Sequence, residues 1–238
     1  MKVTTLAIIT AVAISGCGKE GSIGETKATA ASPAPVVAEM TLKTSEPKVD
    51  KGPWDGPFGL KMGINETELK AAISDIKTAS PNIYSTEAPP KPHDAFETYH
   101  LVTSSSTGLC KISAVGKDVP TSQFGDELRS AHKSIKDALT ERYGKPTDDY
   151  NFLKHGSLWT ESKYWMMGLL KKDRVLTTIW EQKTEKTPKG INLPNDIDSI
   201  IVDVTASGTD SGYVTLRYAF SNEDKCIAEN KKEKNKAL

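Results

Sequence analysis

The 238-residue sequence predicts an α+β fold, in which an antiparallel sheet of about six to seven strands carries two main helices on one face. Three observations predict this fold class. Segments that alternate apolar and polar residues occur in pairs joined by short polar turns, which is typical of β-hairpins. Two further segments repeat apolar residues at the helical spacing of 3.6 residues. Helices and strand pairs come in separate blocks, which favours an antiparallel arrangement over a βαβ nucleotide-binding fold.

The first predicted unit is a short strand followed by a helix, within "GPFGLKMGINETELKAAI". The strand is predicted over Phe58–Met62. Asn65 can accept a hydrogen bond at the N-terminus of the helix, and Glu68 three residues later completes a capping-box pattern. The apolar face of this helix consists of Leu69, Ala72, Ile73 and Ile76.

A hairpin is predicted next, because "FETYHLVT" and "LCKISAVG" both alternate at a period of two across the polar turn "SSSTG". In its second strand Cys110, Ile112 and Ala114 share one face. We expect that face to point into the core.

The segment "SQFGDELRSAHKSIKDALTERYGKP" predicts the longest helix. Asp126 and Glu127 lie near the positive end of the helix dipole, Gly144 is placed to cap the C-terminus, and Pro146 prevents continuation. The apolar stripe consists of Leu128, Ala131, Ile135, Ala138, Leu139 and Tyr143.

The remaining segments predict mainly strands. "LWTESKYWMMGLL" fits a helix or a strand, and we interpret it as a strand that includes Tyr164–Leu169. "RVLTTIWEQ" alternates clearly and predicts a further strand. "SIIVDVTA" and "YVTLRYAF" flank "SGTDSG" and predict a second hairpin.

The first sixteen residues have the layout of an export signal. Lys2 gives a positive start, Val3–Ile14 is apolar apart from three threonines, and the small residues Ser15 and Gly16 precede Cys17. The run is too short for a membrane span, because crossing about 30 Å of hydrocarbon takes about 20 apolar residues.

The run Ile14-Ser15-Gly16-Cys17 closely resembles the lipobox of bacterial lipoproteins. The resemblance implies that residues 1–16 are a lipoprotein signal peptide and that Cys17 becomes the lipidated first residue of the mature chain, with acyl chains of the palmitate type. The alternative is a plain signal peptide with an incidental thiol. Two or more acyl chains hold a protein stably on a membrane.

Localisation follows from the same resemblance. In bacteria with two membranes, an Asp after the lipidated Cys retains such proteins at the inner membrane, and Gly18 stands at that position here. The resemblance therefore implies the periplasmic leaflet of the outer membrane, or the plasma membrane if the source has a single membrane.

Composition divides the rest of the chain into three parts. Residues 17–53 form the lipidated Cys and a flexible linker, because no aromatic residue precedes Trp54 and the segment cannot bury enough surface to order itself. Such a coil spans about 30 Å. Residues 54–229 form one α+β domain. Residues 230–238 are predicted to be a solvated Lys-rich tail, with a weak contact to anionic lipid headgroups as the alternative.

Cysteine usage predicts a disulfide. Lipidation of Cys17 leaves Cys110 and Cys226, and paired thiols tend to oxidise beyond the cytoplasm. By the chain-entropy estimate, such a bridge stabilises the folded domain by about 4–5 kcal/mol. The sequence has no CxxC pair, so thioredoxin-like chemistry and a cysteine zinc site have no support.

Charge argues against nucleic-acid binding. Removal of residues 1–16 takes away Lys2 and no acidic residue, which leaves 30 basic and 31 acidic side chains. Nucleic-acid binders usually carry a basic field instead. The P-loop and the GxSxG elbow are both missing.

Two groups of residues suggest catalysis or metal binding. On a helix His93, Glu97 and His100 would share a face and suit zinc, but the preceding prolines and the strand-like alternation predict ordinary surface residues. His155 and Ser157 are close in sequence, yet a nucleophilic serine also needs a group that orients its base. We therefore predict neither a metal site nor a cofactor.

An aromatic cluster is the remaining candidate site. Trp159, Tyr164, Trp165 and Trp180 could form a stacking platform for a sugar or a peptide, or they could fill the core.

The resulting hypothesis is a lipid-anchored periplasmic module without catalytic activity, which binds an envelope protein or a cell-wall component. One alternative is an envelope hydrolase that uses His155 and Ser157 or the His93 region. Another is an inhibitor or immunity-like protein that blocks a partner with the aromatic patch.

Overall fold

A computed structural model describes residues 49–236. The predicted signal peptide, Cys17 and most of the linker lie outside the described residues. The α+β fold class is confirmed: nine strands form one antiparallel sheet in the order β1-β2-β3-β4-β9-β8-β7-β6, with β5 paired to β9. The strands are β1 Lys77–Ser80, β2 Ile83–Thr86, β3 Phe96–Ser104, β4 Gly108–Gly116, β5 Val119–Pro120, β6 Asp148–Leu153, β7 Arg174–Glu181, β8 Ile197–Ala206 and β9 Ser211–Phe220. The α-helices are α1 Glu66–Ala72, α2 Asp126–Tyr143, α3 Trp165–Leu170 and α4 Glu223–Asn235.

The sheet and helix counts exceed the prediction of six to seven strands and two main helices. The additional strands are short or lie at the edges, and two additional helices, α3 and α4, are present. No helix within residues 49–236 is long and apolar enough to cross a membrane.

The core lies on one face of the sheet, against which α2 packs over β8 and β9. Ile112 pairs with Tyr218, which pairs with Ile200, and all three side chains are buried. The next residues along these strands, such as Ser113 and Arg217, are half-buried. Because side chains alternate along a strand, the period of two in the sequence gives one covered and one open face.

Both predicted hairpins and the long helix are confirmed. β3 pairs with β4, and β8 pairs with β9. The capping box of α1 is also confirmed, since the Asn65 side chain accepts from the Glu68 backbone at 3.0 Å and the Glu68 carboxylate accepts from the Asn65 backbone at 3.0 Å. These features depend on contacts between sequence neighbours, which a sequence pattern records directly.

The strand predicted over Phe58–Met62 is wrong. Pro57–Gly59 form a 3-10 turn, and Phe58 has a left-handed backbone with φ 55°. The Lys91 backbone donates to the Phe58 carbonyl at 3.0 Å. The segment therefore binds another loop instead of extending the sheet.

The strand predicted over Tyr164–Leu169 is also wrong. Ser162–Tyr164 form a 3-10 turn and α3 follows directly. Trp165 and Leu169 are both buried and lie four residues apart, so a single helical turn brings both side chains into the core.

Residues 230–235, which the sequence analysis assigned to a solvated Lys-rich tail, belong to helix α4, and polar side chains hold this helix on the domain. The Asn230 side chain donates to the Thr103 carbonyl at 2.8 Å. The Glu233 carboxylate accepts from Asn82 at 2.7 Å and from Ser105 at 2.9 Å. The helix thus crosses the β1–β2 and β3–β4 turns at one end of the sheet.

The predicted disulfide is confirmed: Cys110 and Cys226 are joined, with their Cα atoms 6.3 Å apart. The ladder between β3 and β4 shifts register here, since Val102 pairs with Lys111 and Thr103 pairs with Leu109. Cys110 therefore has no partner residue on β3, and its side chain is free to join α4.

Candidate binding groove

A groove runs between α2 and two connecting segments, residues 55–58 and 91–96. It consists of two adjoining cavities of about 260 and 270 Å³ that share His93, Phe96 and Ile135. The volumes are near the lower end of the range for ligand sites in proteins.

One wall is a single face of α2. Ile135, Leu139 and Arg142 lie at positions i, i+4 and i+7, which places them on the same side of the helix. Ala131 and Ser134 extend this wall into the second cavity. At 1.5 Å rise per residue, the wall from Ala131 to Arg142 is about 16 Å long.

The opposite wall depends on Phe58. Its ring makes edge contacts with Phe96 at 5.8 Å, with Tyr99 at 4.8 Å and with Tyr218 at 5.8 Å between centroids. Such aromatic pairs stabilise by about 0.5–1.5 kcal/mol beyond the area that they bury. These contacts hold Phe58 in a backbone conformation that costs a non-glycine residue on the order of 1 kcal/mol. A strained residue that lines a cavity suggests a functional constraint.

Tyr218 lies at the bottom of the groove, and Tyr143 packs beside it. The Tyr143 and Tyr218 rings are 6.5 Å apart, and Tyr218 lines the first cavity. Burial raises the pKa of the Tyr143 hydroxyl and raises the pKa of Tyr218 further, so both phenols stay neutral.

The rim carries more positive than negative charge. Lys91 and Arg142 border the first cavity, Lys117 borders the second, and Asp55 is the one acidic residue among the lining residues described. Within residues 49–236 none of these three cations forms an ion pair. The groove therefore combines an aromatic and aliphatic floor with unpaired cations at its edge. That combination suits a ligand that has apolar groups and a neighbouring negative charge.

The candidate metal residues are not brought together. His93 lies in the groove, where its Nδ1 accepts from the Ala95 backbone at 3.2 Å. Glu97 is exposed, and His100 pairs with Ser113 inside the sheet. No group of three or more His, Cys, Asp or Glu residues suited to a metal ion occurs in the described part of the chain.

His155 and Ser157 form no dyad in the structure. The Ser157 hydroxyl donates to the Asp173 carboxylate at 2.9 Å and accepts from the Trp159 backbone at 3.2 Å. His155 is exposed and has no hydrogen bond to Ser157. The serine holds the turn between β6 and α3.

The candidate aromatic patch is not one surface. Trp180 is fully buried and its indole donates to the Gly144 carbonyl at 2.9 Å. Trp165 is buried as well. Trp159 and Tyr164 are half-buried, and their ring centroids are 5.7 Å apart. Two of the four aromatics thus fill the core, which is one of the two roles that the sequence suggested for them.

Apart from His93, the residues that form the groove were not predicted as site residues. Phe58 and Tyr218 are 160 positions apart, and no local pattern announces their contact. Arg142 is the one residue whose sequence position hints at the groove, because it places a charge at the end of the apolar stripe of α2.

Comparisons with protein-family models, with curated proteins and with solved structures give no significant match, so the groove is interpreted from its own chemistry.

Proposed function

We propose that this chain is a lipid-anchored envelope protein whose α+β domain binds a partner through the groove and performs no catalysis. In this proposal residues 1–16 are removed, Cys17 carries the acyl chains, and a flexible linker connects the anchor to the domain. The favoured location is the periplasmic leaflet of the outer membrane, or the plasma membrane in a single-membrane source. The partner is an envelope protein or a cell-wall component.

The observation that carries the proposal is the unpaired charge beside the apolar floor. Lys91 and Arg142 are exposed and have no acidic partner in the described chain, while Phe58 and Phe96 present aromatic surface between them. A buried aromatic anchor surrounded by a charged rim is typical of binding sites.

The positions of the catalytic candidates also favour binding over hydrolysis. Ser157 is hydrogen-bonded to Asp173, and His93 uses its Nδ1 to fix its own loop. A hydrolase would need a base aligned with a nucleophile and a third group that orients the base.

Site-specific photocrosslinking in living cells tests the proposal. A photoreactive amino acid at Lys91 should yield a defined adduct, which a second change, Arg142→Glu, should abolish. The same amino acid at Lys189, an exposed and unpaired lysine outside the groove, serves as the matched control.

Two outcomes would contradict the proposal. Equal adducts at Lys91 and Lys189, or adducts that survive Arg142→Glu, would remove the groove from the function. Turnover of a cell-wall or ester substrate by purified protein, lost on His155→Ala, would establish the hydrolase instead.

A further inference from the structure

A separate cavity of about 750 Å³ lies between α4 and the β1–β2 hairpin. Its apolar lining comes from Pro81, Ile83, Val102 and Ile227. Ile227 is 50% exposed, although apolar side chains of this size usually avoid water in a folded domain. The cavity has no residue in common with the groove along α2.

Helix α4 is not held by an apolar stripe. Cys226 is its one buried residue, and it is joined to Cys110. The Glu229 carboxylate accepts from the Ser105 hydroxyl at 2.7 Å and from the Ser106 backbone at 3.2 Å. A disulfide and polar contacts therefore fix the helix while leaving an apolar cavity open beneath it.

The face of α4 toward this cavity is basic. Ile227, Lys231 and Lys234 lie at positions i, i+4 and i+7, and all three line the cavity. Both lysines are exposed and form no ion pair within residues 49–236. Glu233 also lines the cavity, but its carboxylate accepts a hydrogen bond from Asn82 at 2.7 Å.

We infer that this cavity and the lysine face of α4 form a docking site for the surface of an anionic phospholipid bilayer. Lys231 and Lys234 contact the headgroups, and Ile227 enters the boundary between headgroups and acyl chains beside the open cavity. A helix that carries exposed lysines next to an apolar residue is suited to the interfacial region of a membrane.

Charge complementarity decides the occupant. Acidic and basic residues are balanced in the chain as a whole, so attraction to an anionic membrane must come from a local cluster. Such lysines gain about 1 kcal/mol each near an anionic surface, which corresponds to about fivefold in binding. The inference does not depend on the groove, because none of the groove residues takes part.

Vesicle sedimentation tests the inference. The protein is the chain from residue 17 onward with Cys17→Ser, which cannot be acylated and which contains all of the described residues 49–236. The vesicles are phosphatidylcholine alone or with 30% phosphatidylglycerol, at low and high salt. Binding is expected only to the anionic vesicles and should weaken with salt.

Variants give the sharper test. Lys231→Gln with Lys234→Gln should lower binding about 30-fold, at about fivefold for each lysine. The matched pair Lys186→Gln with Lys189→Gln removes two exposed lysines elsewhere and should change binding less than about threefold. Ile227→Ser should weaken binding even at low salt, because it removes the apolar contact. Circular dichroism confirms that each variant is folded.

Three results would overturn the inference. These are absent binding to anionic vesicles, equal loss from the two lysine pairs, and binding of polyglutamate through Lys231 and Lys234 without binding to vesicles. The last result would assign the site to an acidic protein partner. Arg142→Gln should leave vesicle binding unchanged, which separates this test from that of the groove.

Discussion

Removal of the Cys110–Cys226 disulfide should destabilise the domain strongly. The two residues are 116 positions apart, so the bridge closes a long loop of the unfolded chain. The chain-entropy relation gives about 5 kcal/mol for a loop of this length. Small domains have free energies of unfolding of about 5–15 kcal/mol, so the double variant Cys110→Ala with Cys226→Ala should lose a third or more of its stability.

The loss should be concentrated in α4. Cys226 is the one buried residue of that helix, and its other contacts to the domain include hydrogen bonds to the β3–β4 turn and to β3 and an ion pair between Glu223 and Lys111 of β4. A polar helix without an apolar stripe is marginal in water. Amide hydrogen exchange of α4 should therefore rise by orders of magnitude in the double variant, whereas α2 should keep its protection up to the reduced global stability.

Urea unfolding followed by circular dichroism measures the global effect. Reductant should lower the stability of the parent protein by a similar amount and should leave the double variant unchanged, which provides the control. A loss below about 1.5 kcal/mol, or unchanged exchange in α4, would refute the reasoning that the bridge holds this helix.

Three further predictions concern single residues. Gly125→Ala should cost at least about 2 kcal/mol in urea unfolding, because φ is +70° and the new Cβ would lie 2.1 Å from Cε3 of Trp165. Gly156→Ala, at φ +80° with nothing within 4 Å, should cost only about 1 kcal/mol, and equal losses would contradict the packing argument. Hydrogen bonds from the serines at 104, 106 and 105 lower the pKa of Glu229 to about 2. The ionised Glu229 therefore stabilises the folded domain fully above the pKa that it has in the unfolded chain, and this stabilisation is lost as the pH falls from about 4.5 to 2. Stability measured against pH should show this acid limb weakened in Glu229→Gln, and an unchanged limb would disprove the assignment. Asn65→Ala should cost about 1 kcal/mol through loss of the capping box, and a neutral result in the same unfolding assay would contradict it.

Local periodicity was sufficient to predict most of the central sheet. The strand pairs β3–β4 and β8–β9 and the helix α2 each bury a stripe or a face that recurs at a fixed period, so the sequence records their environment directly. The cap at Asn65 depends on a residue three positions away and was predictable for the same reason.

Tertiary contacts decide the elements that were mispredicted. The backbone of Phe58 is set by aromatic partners on β3 and β9, which override the extended pattern of its own segment. Trp165 packs between Arg129 and Arg174, with distances of 5.4 and 5.8 Å from the guanidinium carbons to the ring centroid. The helical conformation of α3 puts the Trp165 side chain in this position. Neither partner is visible in the local sequence.

The candidate sites were the least predictable part. The groove needs Phe58 and Tyr218 in contact, and the cavity under α4 needs a helix whose sequence has no apolar periodicity. A sequence pattern indicates which side chains are buried, but it does not indicate which distant turns a polar helix will contact. Sequence reasoning therefore found the disulfide that anchors α4 and missed the helix itself.

The intact mass of the native protein, extracted from membranes, tests the central claim most directly. The account predicts a chain that begins at Cys17, carries the added mass of acyl groups and contains the internal disulfide. A chain that begins at Met1 without any acyl mass would contradict it.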